Sequence, residues 1–352
     1  MTPELLSIAI AVGEAMVGLD LSAGNFQGTA LGGAVFSRTN LSRADFRGAD
    51  LRESVFDQCD LRGALFSGAN LRRAVFDRCR LDHADLRSAN LHASVWTGCD
   101  APHLQLGGSQ LSMATLSKCR LDHAVLRDAD LQSALLDEVS LVDACADGAR
   151  WLQTTVSACV LERATWDGSH MDRVAFIGTG LRARSFRGLV LTGCQFFGAD
   201  LSEADFSGAS VKQCNFQSAK LESAVFSRAE ASSSLFCNAA GSHVRFDGAR
   251  LRQALFTGAA LPSANFEGAD LYQVHFAGAR LPDARFGKAD LTYADLRHAD
   301  LTRADLRDSV MLRTVLHAAL TQDAVATDRA RALETDPDLA EAEAWHSMEQ
   351  RK

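Results

Sequence analysis

The 352-residue sequence is poor in several residue types, and each shortage excludes a class of protein. It has 5 prolines, too few for a proline-rich linker protein. Its 36 basic residues against 44 acidic ones lack the basic excess of a nucleic-acid-binding protein. No apolar run is long enough to cross a bilayer. Only 2 tyrosines accompany 19 phenylalanines, which indicates that most aromatic rings lie where a hydroxyl group would find no polar partner.

An apolar residue recurs at every fifth position from 21 to 316 without interruption. These 60 positions hold 31 Leu, 18 Phe, 3 Trp, 2 Met, 2 Val, 3 Ala and 1 Gly, so none of them is polar. Two residues before most of them stands a small residue, usually Ala, as in ADLTYADLRHADLTRADLRDS over 289–309. A period of five fits neither an α-helix nor a β-strand, which repeat about every 3.6 and 2 residues. The chain therefore has to turn a corner every five residues to keep its apolar side chains inside.

A coil with four such sides closes after four units, so that residue i lies beside residue i+20. Two further patterns favour this closure. Leu tends to fall at numbers ending in 1 and Phe at numbers ending in 6, which places Phe on two opposite sides of the coil. Several cysteines also share one column, because their spacing is a whole number of four-unit coils. They are Cys59, Cys79, Cys99, Cys119 and Cys159. Stacked coils would pair their backbones at the strand spacing of about 4.8 Å.

This unit resembles the A(D/N)LXX motif of the pentapeptide-repeat family, and the likeness covers residues 19–318. The resemblance implies an all-β solenoid, a right-handed quadrilateral β-helix of about 15 coils and a length of about 72 Å. We expect one solenoid domain at 19–318 between an N-terminal helical cap at 1–18 and a C-terminal helical tail at 319–352.

Both ends carry helix signals. Thr2, Pro3 and Glu4 are typical of the first turn of a helix, and Pro337 between two aspartates starts a second helix. The second helix either caps the last coil or forms a homodimer, as the C-terminal segment does in gyrase-protecting members of the family. The residues expected to make that cap or dimer contact are Leu339, Trp345 and Met348.

The repeat is least regular between residues 96 and 190. Ala101 and Ala146 replace large inward residues, while three tryptophans fall in the same register. Either the solenoid kinks there or the large and small residues compensate in volume, which we favour. Arg184 falls in a small inward slot, where an unpaired charge would be costly, so we expect a bulge or an escaping side chain.

Two sets of residues carry possible chemistry. Seven of the 9 cysteines occupy small inward slots, close enough for disulfides but better explained as buried thiols of a reduced cytoplasmic protein. A column of three histidines either shares a metal ion or forms a solvated ladder, which we favour. They are His83, His103 and His123. We expect no metal, no cofactor, no direct binding of nucleic acid and no membrane association.

No catalytic motif is present. The sequence has no GxSxG, HExxH or GxxxxGK[ST] motif, and its outward polar residues form regular ladders without a pocket-forming insertion. We therefore expect no catalytic residues and a protein that is not an enzyme.

One side of the predicted coil is a candidate contact surface. Its outward positions hold 5 acids and 4 bases, fewer than the other three sides, together with exposed apolar residues. Branched side chains also suit a strand-like wall, so a purely structural role stays open. The residues of this predicted interaction face are Val35, Val55, Val75, Val95, Leu135, Leu235 and Leu255, with Ile177 and Phe197 beside them.

Two functions compete for the predicted rod. The first is a non-enzymatic scaffold that binds another protein. Residues 13–21 resemble the lead-in of pentapeptide-repeat proteins associated with bacterial type VI secretion, which suggests a secretion component as partner. The second is a DNA mimic that protects DNA gyrase or topoisomerase IV. Its charge argues against that role, because residues 21–316 net -1, whereas about 72 Å of duplex presents about 40 negative charges.

Overall fold

The computed structural model describes residues 2–349, with side chains up to residue 345. The chain divides into two compact units, Met1–Gly180 and Leu181–Lys352, and each is described by itself. Both units are parallel β-solenoids, and together they contain about 16 turns. The predicted solenoid is therefore confirmed, with about one turn more than the 15 expected.

A left-handed backbone conformation recurs at every fifth residue. Each residue of the series 13, 18, 23 and so on to 323 has φ between +49° and +84°. This conformation brings the Cβ atom close to the following carbonyl oxygen and is worst for β-branched side chains. In agreement, the series contains no Val, Ile, Thr or Pro. These residues form the corners that the period of five predicts.

Between the corners, the backbone of each turn pairs with the backbone of the next turn. Four parallel ladders link residue i of one turn to residue i+20 of the next, as in the successive bridges of Asp20 with Asn40, Asn25 with Asp45 and Ala30 with Asp50. The fourth ladder runs through the strands that start at Val35 and Val55. Four ladders per turn are what a four-sided coil requires.

The first unit contains one helix and eleven short strands. They are α1 (Pro3–Ala11), β1 (Met16–Val17), β2 (Val35–Ser37), β3 (Val55–Asp57), β4 (Val75–Asp77), β5 (Val95–Thr97), β6 (Thr115–Ser117), β7 (Leu135–Asp137), β8 (Arg150–Leu152), β9 (Thr155–Ser157), β10 (His170–Asp172) and β11 (Ala175–Ile177). Nine strands form one parallel sheet in the order β1-β2-β3-β4-β5-β6-β7-β9-β11. Strands β8 and β10 pair on another side of the coil.

The second unit is built mainly from single bridges. Its elements are β12 (Val190–Thr192), β13 (Asp305–Leu306), β14 (Val325–Ala326), a 3₁₀ turn (Arg329–Arg331) and α2 (Pro337–Glu349). Strand β13 pairs with β14, and Val315 pairs with Leu333. The solenoid pairing thus continues past residue 318, where the period of five in the sequence fades.

Stacked phenylalanine rings fill the second unit. Two columns, one from Phe186 to Phe286 and one from Phe196 to Phe276, stack with centroids 4.6–5.0 Å apart within each column. Rings of the two columns meet edge to face, as Phe206 does with Phe216 at 5.6 Å and 85°. Both arrangements are favourable for aromatic quadrupoles. Phe197, the one phenylalanine outside the register, is 60% exposed.

Hydroxyl and thiol groups in the small slots hold consecutive turns together. The side chain donates to the carbonyl of the residue 23 positions earlier, as Ser54 does to Leu31 at 3.1 Å and Thr154 to Leu131 at 2.8 Å. Cys79 does the same to Phe56 at 3.2 Å. All nine cysteines are free, and burial raises the pKa of the Cys159 thiol to about 11. The buried-thiol interpretation of the cysteine column therefore fits the structure better than disulfides.

Irregular positions are accommodated locally. Ala101 is buried in a large slot while Leu104 is buried in the adjoining small slot, which is compensation in volume. Trp96 is also buried, and its indole N–H donates to Ser94 Oγ at 2.9 Å. The Arg184 side chain is half-exposed and its Nε donates to the carbonyl of Arg182 at 3.3 Å. The charge escapes from the core, as the sequence predicts.

Helices lie at both ends, as expected. Thr2 caps α1 by accepting from the backbone N–H of Leu5 at 3.4 Å, and Leu6 is the buried residue of that helix. Asp336 caps α2 by accepting from the N–H groups of Asp338 and Leu339 at 3.0 and 3.2 Å. Over residues 2–349, neither helix combines the length and the apolar character needed to span a bilayer.

The left-handed corners predict that a β-branched residue lowers the stability of the fold even where the corner is exposed to solvent. Lys118 is an exposed corner residue with φ +55°. Substituting Lys118→Val should lower the free energy of unfolding by about 1 kcal/mol, because a side chain branched at Cβ is more strained in this conformation than the unbranched lysine. Lys118→Gly is the matched control and should not lower it, because glycine adopts this conformation freely. Urea unfolding followed by circular dichroism measures both, and equal stability of the two variants would contradict the prediction.

Candidate protein interaction surface

An apolar outward surface of the first unit lies on its nine-stranded sheet. We define the strand face as the first residues of β2–β7 and β9. They are Val35, Val55, Val75, Val95, Thr115, Leu135 and Thr155. These residues are in register from strand to strand, and none carries a charge. The side chains alternate along each strand, so the middle residue points into the core and the first points outward.

Part of the strand face is open to solvent. Val35 and Val95 are 39% exposed and Leu135 is 38% exposed, whereas Val55 and Val75 are half-buried by their neighbours. Five residues of the predicted interaction face therefore lie together on this one surface.

A polar row runs beside the strand face, formed by the last residues of the same strands. Two of its acids, Asp57 and Asp77, are already engaged. Ser37 Oγ donates to Asp57 Oδ2 at 2.9 Å, and Arg78 Nη2 contacts Asp57 Oδ1 at 3.2 Å and Asp77 Oδ2 at 2.6 Å. At β3 and β4 the edge of the strand face thus presents carboxylates that are already held in hydrogen bonds and ion pairs.

The other predicted members of the interaction face lie elsewhere. Leu235 and Leu255 pair with each other in the second unit, and both are half-buried. Their ladder neighbours are Asn215 and His275, so this is a two-residue apolar patch. Ile177 is 56% exposed at the end of β11 in the first unit.

The three predicted ladder histidines stack on one another at left-handed corners. The ring centroids of His83 and His103 lie 4.6 Å apart with parallel planes, and those of His103 and His123 lie 4.8 Å apart. Because the rings are parallel, their in-plane lone pairs do not converge on one point. Asp143, next in the column, is held in a bidentate pair by Arg163 at 2.6 Å for both contacts. The geometry fits the solvated ladder better than a shared metal ion.

Part of the surface charge is neutralised within single turns. In the pattern Asp-x-Arg, the carboxylate accepts from the backbone N–H and the guanidinium of the arginine two residues on. Arg47 donates to Asp45 in this way with Nη2–Oδ2 at 2.6 Å. The same ion pair recurs at Asp50–Arg52, Asp60–Arg62, Asp85–Arg87, Asp295–Arg297 and Asp305–Arg307. The spacing is visible in the sequence, but its pairing depends on the turn that brings residue i+2 back over residue i.

The tail residues predicted for a cap or dimer are exposed where the structure describes them. Leu339 is 42% and Trp345 is 68% exposed. The side chain of Met348 lies outside the described residues. A homodimer through this helix stays a prediction.

These features define a class: a parallel β-solenoid built from five-residue units with outward polar ladders. The pentapeptide repeat region model matches residues 17–86, 49–126 and 209–286, and the model of eight pentapeptide repeats matches 181–213 and 269–308. The chain belongs to the pentapeptide-repeat family.

Several solved structures are similar. HetL from the cyanobacterium Nostoc sp. strain PCC 7120, a pentapeptide repeat protein involved in heterocyst differentiation regulation, is 21% identical over 92% of this chain and 94% of its own, with a TM-score of 0.24. QnrB1, a plasmid-mediated fluoroquinolone resistance protein, is 22% identical over 55% of this chain and 88% of its own, with a TM-score of 0.30. Such values say nothing about the function of this chain. A comparison with curated proteins gave no significant match.

The Asp-x-Arg pairs predict a specific response to acid. The hydrogen bond from Arg307 is the main cause that lowers the pKa of Asp305 to about 2. A carboxylate with a lowered folded-state pKa stabilises the fold above its unfolded pKa of about 3.9, and that stability is lost as the pH falls toward the folded value. Arg307→Gln should raise the pKa of Asp305 toward about 3.9 and make unfolding less dependent on pH between about 4 and 2.

Carboxyl NMR titration and urea unfolding at several pH values measure this effect. Arg313→Gln is the control, because Arg313 makes no ion pair with the residues that the structure describes. An Asp305 pKa that is the same in both variants would contradict the assignment of the shift to Arg307.

Proposed function

We propose that the chain is a non-enzymatic protein-binding module whose strand face docks an uncharged, largely aliphatic surface of another protein. The observation that carries the proposal is the run of seven registered strand positions without a charged residue. Five of these residues are aliphatic, and three of the five are more than a third exposed. Apolar side chains in register on a rigid sheet bind without losing much conformational freedom, which favours affinity.

The proposed function includes no catalytic activity. Pentapeptide-repeat proteins are generally structural or interaction proteins. The polar side chains described above are joined in ladders and in ion pairs, and this arrangement supports binding better than catalysis.

The charge distribution supports a protein partner of this kind over the DNA-mimic role. A DNA mimic needs dense unpaired negative charge, about one per 1.7 Å as in a duplex. Here Asp57 and Asp77 beside the strand face are held by Ser37 and Arg78, and other aspartates are paired within their own turn. Steering of a basic partner is correspondingly weak.

A component of a bacterial type VI secretion system is the partner that we propose more specifically, on the likeness of residues 13–21. Residues of the same segment also end the first helix and form the start of the solenoid. Gly13 ends α1 with φ +84°, Met16 is buried in the first turn, and Gly18 forms the next corner with φ +67°. The likeness is therefore weaker support than the strand face.

Photo-crosslinking from position 75 in cells, followed by titration of the purified candidate partner, tests the proposal. Val55→Lys with Val75→Lys should weaken binding by about tenfold or more, about 1.4 kcal/mol, because two charges enter the apolar contact. The matched control is Leu65→Lys with Val125→Lys, at half-buried outward positions of a different ladder. This control should bind like the unmodified chain.

Equal binding by both double variants would contradict the strand face as the docking site. If the captured partner is DNA gyrase, and the chain protects supercoiling activity from a quinolone, the DNA-mimic alternative replaces the proposal. Circular dichroism of each variant shows whether the fold is intact.

A further inference from the structure

Two histidines and a glutamate meet where α2 lies against the last turns of the second unit. His317 follows the inward residue Leu316 and is buried, with 2% of its surface exposed. His298 lies at a left-handed corner one turn earlier, with its side chain 50% exposed. Glu343 lies on α2. The solenoid and the tail therefore each contribute to one cluster of groups that bind metals.

The ligand atoms of this cluster converge. Glu343 Oε1 lies 3.3 Å from His298 Nε2, and Glu343 Oε2 lies 3.2 Å from His317 Nε2. If each residue supplies one ligand atom, the three atoms all lie within 4.8 Å of one another. The two imidazole planes are at 86°, so their lone pairs can point to a common centre, unlike those of the parallel ladder at His83.

We propose that His298, His317 and Glu343 form a binding site for a divalent transition metal of the zinc class. Ligands at about 2.0–2.1 Å from a tetrahedral zinc ion lie about 3.3 Å from each other, and each imidazole Nε2 already lies at that separation from one oxygen of the Glu343 carboxylate. Imidazole and carboxylate are donors that zinc accepts, and solvent completes the fourth position. The half-exposed His298 side chain has the freedom to move its Nε2 closer to His317 Nε2 and to a single ligating oxygen of Glu343.

Neighbouring acids have other partners. Asp295 is paired with Arg297 at 2.7 Å, and Glu334 with Arg329 at 2.7 Å. Glu343 is therefore the carboxylate that is directed at the two imidazoles.

Metal binding at His317 requires a change of tautomer. The backbone N–H of Asp336 donates to His317 Nδ1 at 3.2 Å, so the ring proton is on Nε2 and is donated to Glu343. When a metal binds Nε2, the ring proton is on Nδ1 instead. The hydrogen bond from the backbone N–H of Asp336 to Nδ1 is then lost. Because Asp336 is exposed, water takes over its N–H group. The metal thus replaces a hydrogen-bonded contact between tail and solenoid with a coordinated one.

Titration of the untagged full-length chain with zinc chloride in a calorimeter tests the site. We expect one zinc ion per chain, and His298→Gln or Glu343→Gln should weaken binding by about tenfold or more. These two side chains are exposed enough to be replaced without unfolding the chain. The control is the triple variant His83→Asn, His103→Asn, His123→Asn, which should keep full affinity.

Nitrogen-15 NMR of the histidine rings gives a second readout. The proton of His317 should be on Nε2 without zinc and on Nδ1 with zinc. The proposal is overturned if zinc does not bind at one equivalent, if the His298 and Glu343 variants bind as well as the unmodified chain, or if the ladder variant loses the site.

Discussion

The left-handed corner at every fifth residue is the constraint on which the rest of this structure depends. It ends each side of the coil after five residues, so that four sides close a turn and residue i meets residue i+20. The inward register of Leu and Phe, the small slots with their hydroxyl and thiol donors and the outward ladders all follow from that closure. Corner positions hold arginine, histidine and aspartate, whereas the residues branched at Cβ, which are strongly disfavoured in this conformation, are absent from them.

Much of this fold is predictable from one sequence because its hydrophobic register is unbroken. The four-sided turn, the two phenylalanine columns and the helices at both ends all follow from spacing and capping residues. Other features needed the backbone. The thiol of Cys79 is a hydrogen-bond donor to Phe56 as well as a small apolar group, and the sequence shows only its size. The exclusion of branched residues from the corners becomes meaningful only once their φ angles are known.

The surface was predictable to a smaller extent. The valines of β2–β5 could be grouped because they share one period, whereas Leu235 and Leu255 share that period but lie in the other unit. The cluster of His298, His317 and Glu343 was missed for a physical reason. Its members do not share the spacing of the repeat, and Glu343 belongs to a helix with its own period. Only the docking of α2 brings them together.

The pairing of Asp45 with Arg47, repeated at Asp85 with Arg87, has a consequence for how such a chain changes over time. Each such pair lies within one turn, and each turn bonds to its neighbour through the same pairing of residue i with residue i+20. Loss or duplication of one whole turn that contains such a pair removes or adds the acid together with its base, and it leaves the flanking ladders able to rejoin. The number of turns can therefore change over evolution without separating the acid of such a pair from its base.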